Sequence, residues 1–294
     1  MPCYLCPRGC GALREEGRAG MCGEADEIRA SRAALHFWEE PCISGSAGSG
    51  AIFFSGCALR CGYCQNGDIS RGGGFPVSAE RLRDIMFELK EKGAQNINLV
   101  TPSHFVPQLT PVLRSVRAEG LALPIVYNTS AYETVDMLRS LEGLVDVWLP
   151  DFKYLDAERA GRYSKAPDYP EVAKAALREM VRQCGQPELD ESGRMVRGVI
   201  VRHLVLPGGI LEAKRVVRYL HETYGDSIYI SILGQYTPRP GIEKDYPELA
   251  GRLRRRDYER VVDAALRCGV TQAFVQEAGC EKESFIPAFD GTGL

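Results

Sequence analysis

No stretch of this 294-residue chain approaches the apolar length that a membrane span requires. No long run of one charge is present either. With 36 Lys and Arg against 39 Asp and Glu, the net charge is −3. The densest basic cluster, Arg252-Leu253-Arg254-Arg255-Arg256, is short and ends in Asp257. It reads as a solvated helix face rather than a nucleic-acid surface. Neither a membrane nor nucleic acid is therefore an expected partner. The chain lacks solenoid repeats and low-complexity tracts. Its N-terminus begins directly with cysteines and has no apolar secretory core, so a cytoplasmic location is expected. With 45% hydrophobic residues the chain can bury a sizeable core, and one large α/β domain fits the length.

What the chain has in excess is cysteine, eleven in all. An odd number in clusters argues against a disulfide framework and for metal binding in a reducing compartment. The most informative group is Cys57, Cys61 and Cys64, spaced C-x3-C-x2-C with Tyr63 just before the last. Three thiolates can hold three corners of a cubane iron–sulfur cluster. Such clusters normally take four cysteines, so a triad leaves one iron open for chemistry. The apolar run Ala51–Phe54, ended by Ser55-Gly56, reads as a buried strand before the triad. Gly67 and Gly72-Gly73-Gly74 after it predict a mobile loop. The cysteines thus fall on the loop leaving a strand, where parallel α/β folds place their chemistry. A zinc knuckle usually pairs x2 spacings and fits less well.

A second group, Cys3, Cys6, Cys10 and Cys22, is spaced C-x2-C-x3-C-x11-C among turn residues. Four thiolates complete either a tetrahedral zinc site or a closed [4Fe–4S] cluster. The short, clip-like segment favours structural zinc; a second cluster would imply an electron relay or a substrate ligand. Cys184, Cys268 and Cys280 are isolated and read as packed thiols. Cys42 is too isolated to be assigned, and His36, alone beside aromatic residues, reads as a packed histidine.

From residue 51 onward, strand-like and helix-like segments alternate. Strands are expected at 96–101, 123–128, 145–149, 198–206, 228–233 and 272–276. Helices are expected at 79–92, capped by Ser78, and at 104–119, 133–141, 156–161, 171–184, 212–224 and 254–268. Residues 33–40 fit a strand or a short helix, and Gly45–Gly50 a flexible loop. Near-continuous apolar strands separated by helices imply a parallel sheet covered on both faces. About six right-handed β-α units close part of a barrel. The expected organisation is a Cys-rich N-terminal module with its connecting segment over residues 1–50, then a partial (β/α)6 TIM-type barrel with a C-terminal extension over 51–294.

The triad and its setting resemble the signature of the radical S-adenosylmethionine (SAM) superfamily. Further motifs are similar to pyruvate formate-lyase-activating enzymes and their PflX-like relatives. These are Cys3-Tyr4-Leu5-Cys6-Pro7-Arg8-Gly9-Cys10, Trp38-Glu39-Glu40-Pro41, Ser55-Gly56-Cys57 and Cys64-Gln65-Asn66. To them are added Leu99-Val100-Thr101-Pro102-Ser103-His104, Asp151-Phe152-Lys153 and Arg202-His203-Leu204-Val205-Leu206-Pro207-Gly208. The resemblance implies a [4Fe–4S] cluster on the triad, SAM on its open iron, and an electron donor such as flavodoxin or ferredoxin. It implies that Asp151 and Lys153 lie by the SAM carboxylate, with Arg202 a further candidate, and that Tyr63 packs near cluster or adenine. Two positions depart from the pattern. Thr101-Pro102-Ser103-His104 stands where Gly-Gly-Glu would meet the SAM amino group, making Ser103 and His104 candidate substitutes. Asn128 stands where an aspartate borders a monovalent cation. No pair of extra CxxC motifs follows the triad. Gln235 and Tyr236 are candidates for the top of the barrel.

The implied chemistry is reductive cleavage of SAM to a 5′-deoxyadenosyl radical that abstracts hydrogen from a substrate. A backbone glycine of a protein partner, or a small molecule or peptide side chain, are both open as substrate. A wide, flat mouth would favour the first and a closed pocket the second. A non-catalytic Fe–S or zinc-binding protein fits the open triad poorly.

Overall fold

The computed structural model describes residues 1–276 and 286–294. Residues 1–28 form an irregular segment with one short turn of 3-10 helix at Arg14–Glu16. The regular elements then run β1 (Arg29–His36), α1 (Pro41–Ser44), β2 (Ser49–Phe54), β3 (Phe75–Pro76), α2 (Ala79–Glu91), β4 (Ile97–Val100) and α3 (Val106–Ala118). Next come β5 (Ile125–Thr129), α4 (Val135–Ser140), β6 (Val147–Pro150), α5 (Ala157–Ser164), α6 (Tyr169–Cys184), β7 (Glu188–Leu189) and β8 (Met195–Leu204). The chain closes with α7 (Ile210–Tyr224), β9 (Tyr229–Leu233), α8 (Arg255–Arg267) and β10 (Ala273–Val275).

One ten-stranded sheet runs in the order β10-β9-β8-β6-β5-β4-β2-β1-β3, with β7 paired to β8. From β2 to β10 along this path every pairing is parallel. Parallel neighbours need crossover connections, and helices supply them, which is the architecture expected of a partial TIM-type barrel. Strands β2, β4, β5 and β6 are buried at every position because both faces are covered.

Local chemistry explains the helix boundaries. Ser78 accepts from the Arg81 N–H at 3.0 Å to cap α2, and Asp156 accepts from Glu158 and Arg159 to cap α5. Pro107 sits at the start of α3, where its missing N–H costs nothing; Pro111 lies inside the helix.

Three local expectations change. Residues 29–36 are a strand, antiparallel to β2 with Ala30 opposite Phe54 and His36 opposite Ser49. The segment before residue 51 therefore extends the barrel sheet. Ser49 and Gly50 belong to β2 and are buried, so what was expected as a flexible loop is a hydrogen-bonded turn over 45–48. A Cβ on Gly50 would stand 2.9 Å from the Asn96 carbonyl oxygen and 3.0 Å from the Ala94 Cβ. Close strand approach, rather than flexibility, accounts for that glycine. The triplet Gly72–Gly74 is likewise anchored at its end. Gly74 is buried and its N–H donates to Ser55 Oγ at 2.9 Å.

The described part of the C-terminal extension returns to the barrel edge. The Ala33 N–H donates to Thr292 O at 2.8 Å, and the Gly291 N–H donates to Ser31 O at 3.0 Å. Phe289 packs edge-on against Phe53 at 5.5 Å. Cys280 lies outside the described residues. Among those described, no helix is long and apolar enough to cross a membrane.

Gly50→Ala tests the close approach. We expect a loss of about 2 kcal/mol in a denaturant titration, because a methyl group there meets backbone on a strand that cannot move aside. A neutral or stabilising effect would show that β2 and β4 can separate without cost.

Candidate active site

The triad loop leaves the C-terminal end of β2. On one side the N-terminal segment holds it: the Cys57 N–H donates to Cys22 O at 2.9 Å. Arg8 donates to the carbonyls of Ala58 at 2.8 Å and Ser164 at 2.7 Å. On the other side the Gly62 N–H donates to Tyr163 O at 2.7 Å. Ser164 Oγ donates to Cys61 Sγ at 3.0 Å. Tyr63 is buried and its hydroxyl accepts from Tyr154, while its ring meets Tyr163 edge-on at 6.2 Å.

Cys57, Cys61 and Cys64 line one cavity together with Tyr63, Thr101, Asn128, Asp151, Lys153, Arg202 and Gln235. The fold thus gathers residues spread over more than 170 positions to one end of the parallel strands. Four predicted residues form a single charged network. Asp151 bridges Arg202 Nε at 2.8 Å and Lys153 Nζ at 2.9 Å. Arg202 also donates to Asn128 Oδ1 at 2.6 Å and to Glu39 Oε2 at 2.9 Å. Burial alone would raise the Asp151 carboxyl, but Arg202 and Lys153 outweigh it and hold it below its ordinary value. Burial would likewise lower Lys153, and the charge of Asp151 reverses this and raises it.

The network changes two expectations. Arg202 has each of its three nitrogens on a protein acceptor, so its charge is already partnered within the protein, while Lys153 shows a hydrogen bond to Asp151 alone and keeps further N–H donors. Asn128 Oδ1 faces the guanidinium of Arg202, so at this position a built-in cation stands beside the amide.

Ser103 and His104 lie beside the cavity rather than on its wall. Ser103 Oγ donates to Glu133 Oε1, which also accepts from Thr129. His104 is buried against Phe105, its Nε2 2.6 Å from Ser55 O, and burial pushes its pKa down to about 4. Of the Thr101–His104 segment only Thr101 reaches the cavity, with its backbone in the left-handed region at φ 58°. Tyr236 is buried and donates to Leu249 O at 2.6 Å, away from the wall that Gln235 joins. His36 does line the cavity, kept neutral by burial and by Arg202, with its pKa near 4.

Two acidic residues escaped the sequence reading. Glu39 was visible only inside the Trp38-Glu39-Glu40-Pro41 segment, and nothing local marked it as the partner of a residue 163 positions later. Glu133 follows β5 and carried no motif, yet it is buried with Oε2 lacking a partner.

The donor set fits an iron–sulfur cluster. Three free thiols share one cavity, a hydroxyl donates to one of their sulfurs, and a lysine supplies positive charge beside Cys61. Burial raises Cys64 to about 12 and raises Cys61 as well, so these two are thiols in the unloaded site and must release protons on loading. Among the described residues no three His, Cys, Asp or Glu side chains converge as the ligands of a single ion would.

The family model of the radical SAM superfamily matches residues 51–208, more than half of the chain. The chain therefore belongs to the radical SAM superfamily and is a radical SAM enzyme, with SAM and a [4Fe–4S] cluster as its cofactors. An uncharacterized protein of Methanocaldococcus jannaschii is 28% identical over 272 residues, covering 90% of this chain and 74% of the relative. Among solved structures, Streptococcus suis SuiB bound to SAM aligns with a TM-score of 0.52 at 13% identity, covering 79% of this chain and 50% of SuiB. The hydrogenase maturase HydG of Carboxydothermus hydrogenoformans aligns at 0.50 and 14% identity, covering 81% and 55%. The chain spans about half the length of these structures, and at such identity the likeness shows the fold alone.

Glu133 gives a pH test. Burial pushes its pKa up to about 7. The folded state then binds more protons than the unfolded state between about pH 4.5 and 7, so stability falls as pH rises through that window. Glu133→Gln keeps the acceptor for Ser103 and Thr129 and removes the charge. Its stability relative to the parent should grow from pH 5 to pH 8 by up to about 3 kcal/mol. A pH-independent difference would mean that Glu133 is not held neutral.

Proposed function

We propose that this radical SAM enzyme is of the pyruvate formate-lyase-activating-enzyme-like, PflX-like branch. Its reaction is hydrogen abstraction from a small molecule or from one residue of a narrow peptide. The observation that carries the substrate reading is the wall of the cavity. Ile286 and Pro287, from the C-terminal extension, line the same space as the cysteine triad. Such a walled space favours a slender substrate over a protein loop lying flat across an open mouth. Activation of a protein partner at a backbone glycine, the other reading, needs that mouth widened.

When bound, cluster and SAM together supply a hydrogen-abstracting 5′-deoxyadenosyl radical. Cys57, Cys61 and Cys64 would hold the cluster. Lys153 would offer its remaining N–H donors to the SAM carboxylate, with its ammonium fixed in place by Asp151. Arg202 positions Asp151 and Asn128. Apolar Phe53 and Leu204 on the wall exclude water from the reacting end. Cys3, Cys6, Cys10 and Cys22 hold a second metal centre, zinc or iron–sulfur. A low-potential carrier of the flavodoxin or ferredoxin type supplies electrons, and the free thiols suit a reducing cytoplasm.

Lys153→Ala should weaken SAM binding roughly 10- to 100-fold, the loss of one charge-assisted hydrogen bond, while iron content stays unchanged. Equilibrium dialysis and iron analysis check this. Lost iron with normal SAM affinity would overturn the role given to Lys153.

Substrate class is tested by anaerobic incubation with SAM, reductant and a size-fractionated, deuterated cell extract. Deuterium should enter 5′-deoxyadenosine with the low-mass fraction. Transfer from the macromolecular fraction alone would return the reading to a protein activase. Cys61→Ala should abolish SAM cleavage in every fraction, and undiminished cleavage would remove the triad from the chemistry.

A further inference from the structure

The four N-terminal cysteines are gathered by backbone bonds. The Cys3 N–H donates to Ala12 O and the Gly11 N–H to Cys3 O, both at 3.0 Å, which folds Cys3 back beside the loop of Cys10. Gly20 sits against both remaining thiols. A Cβ there would stand 3.3 Å from Cys10 Sγ and 3.4 Å from Cys22 Sγ. Only glycine leaves the space between those sulfurs free for an inorganic group. Cys22 is buried, while Cys3, Cys6 and Cys10 are partly exposed. The group thus reaches from the surface to the interior.

What favours iron–sulfur over structural zinc is where the group docks. A structural clip can sit anywhere on the barrel, yet this one is joined to the triad itself. The carbonyl of Cys22 accepts from the N–H of Cys57 at 2.9 Å. A Cβ on Gly56, just before the triad, would stand 2.8 Å from that carbonyl oxygen, so the two segments are in close contact. The path from Cys22 sulfur to Cys57 sulfur therefore runs through two side chains, two backbones and a single hydrogen bond.

We propose that Cys3, Cys6, Cys10 and Cys22 hold a second [4Fe–4S] cluster, through which electrons pass to the cluster on the triad along the Cys22–Cys57 hydrogen bond. This deepens the reading of the N-terminal group as a metal centre. Four cysteines fill every iron, so this cluster binds no SAM and only exchanges electrons. A reduced low-potential one-electron carrier loses one electron to the N-terminal cluster. That cluster is reduced by one electron and is reoxidised when the electron moves to the triad cluster. No bond to either cluster forms or breaks, and no proton is consumed.

The test uses the full chain, reconstituted anaerobically and analysed for iron and zinc. About eight irons per chain are expected, two four-iron clusters, with no stoichiometric zinc. The Cys6→Ala/Cys10→Ala variant should fall to about four. Electron paramagnetic resonance of the reduced parent should show two clusters broadened by mutual coupling, and the variant one uncoupled signal. The rate of SAM cleavage with a reduced ferredoxin, divided by the rate with dithionite, should drop at least tenfold in the variant. Four irons with one zinc, eight irons with two magnetically independent signals, or an unchanged rate ratio would each overturn the proposal. If the variant does not fold, metal content and resonance of the parent alone decide. Dithionite-driven SAM cleavage by the parent tests the radical SAM reading separately.

Discussion

A guanidinium inside the barrel is the constraint on which the site depends. Arg202 projects from β8 into a space where an unpaired charge would cost several kcal/mol. Its three nitrogens are met by Asp151 after β6, Asn128 on β5 and Glu39 after β1. Each partner comes from a different element, so the pairing ties one end of the sheet together. Glu39 in turn accepts from Asn98 on β4 at 3.0 Å, which brings a further strand into the same network. Removing any one acceptor leaves a buried charge short of a partner, whereas the whole network is balanced, with Arg202 and Lys153 against Glu39 and Asp151. Beside such a neutral floor, a ligand carboxylate adds its charge next to Lys153 without displacing an existing pair.

The network also explains why the segment before residue 51 is inseparable from the barrel. β1 places His36 opposite Ser49, and the turn after it carries Glu39 to Arg202. Further upstream, Arg8 and Cys22 hold the triad loop by its carbonyls and by the Cys57 N–H. Loop residues with unsatisfied backbone groups are costly to bury. Here the N-terminal segment supplies the missing partners, so the triad is set by tertiary contacts as much as by its own turn.

The fold was legible because its signals are local. Ser78 before an amphipathic run and Gly93 after it bound α2 without reference to anything distant. The triad was legible for the same reason, since its spacing is contained in eight residues. Asp151 and Lys153 lie two apart and were also within reach. Glu39 was not, because its meaning depends on Arg202, and sequence distance hides an ion pair that the topology creates. Ser103 and His104 sit at the expected strand end, but the chain turns at Thr101 and their side chains bond to Glu133 and Ser55, which no local signal foretold. Gly50 was read as flexible from composition, where strand-to-strand approach decides instead.

The turn at Thr101 shows how this chain does without a glycine pair. A β-branched residue at φ 58° is strained by about 1–3 kcal/mol and persists only if its surroundings enforce it. Three contacts do so. The Thr101 N–H donates to Asn128 O at 2.8 Å, continuing the ladder with β5 past the end of β4. Two residues on, Ser103 is fastened to Glu133, and Thr129 on β5 is fastened to the same carboxylate. His104 then closes the turn against Ser55, the residue that begins the triad loop. The strained turn and the cluster loop therefore share a wall. Glu133 stands behind it as a buried acceptor whose neutral form is favoured. A Gly-Gly turn would reach the same backbone shape with less strain but would fix it less. In this chain, rigidity at the strand end comes from side-chain contacts, and Ser103, His104 and Glu133 make theirs off the cavity wall.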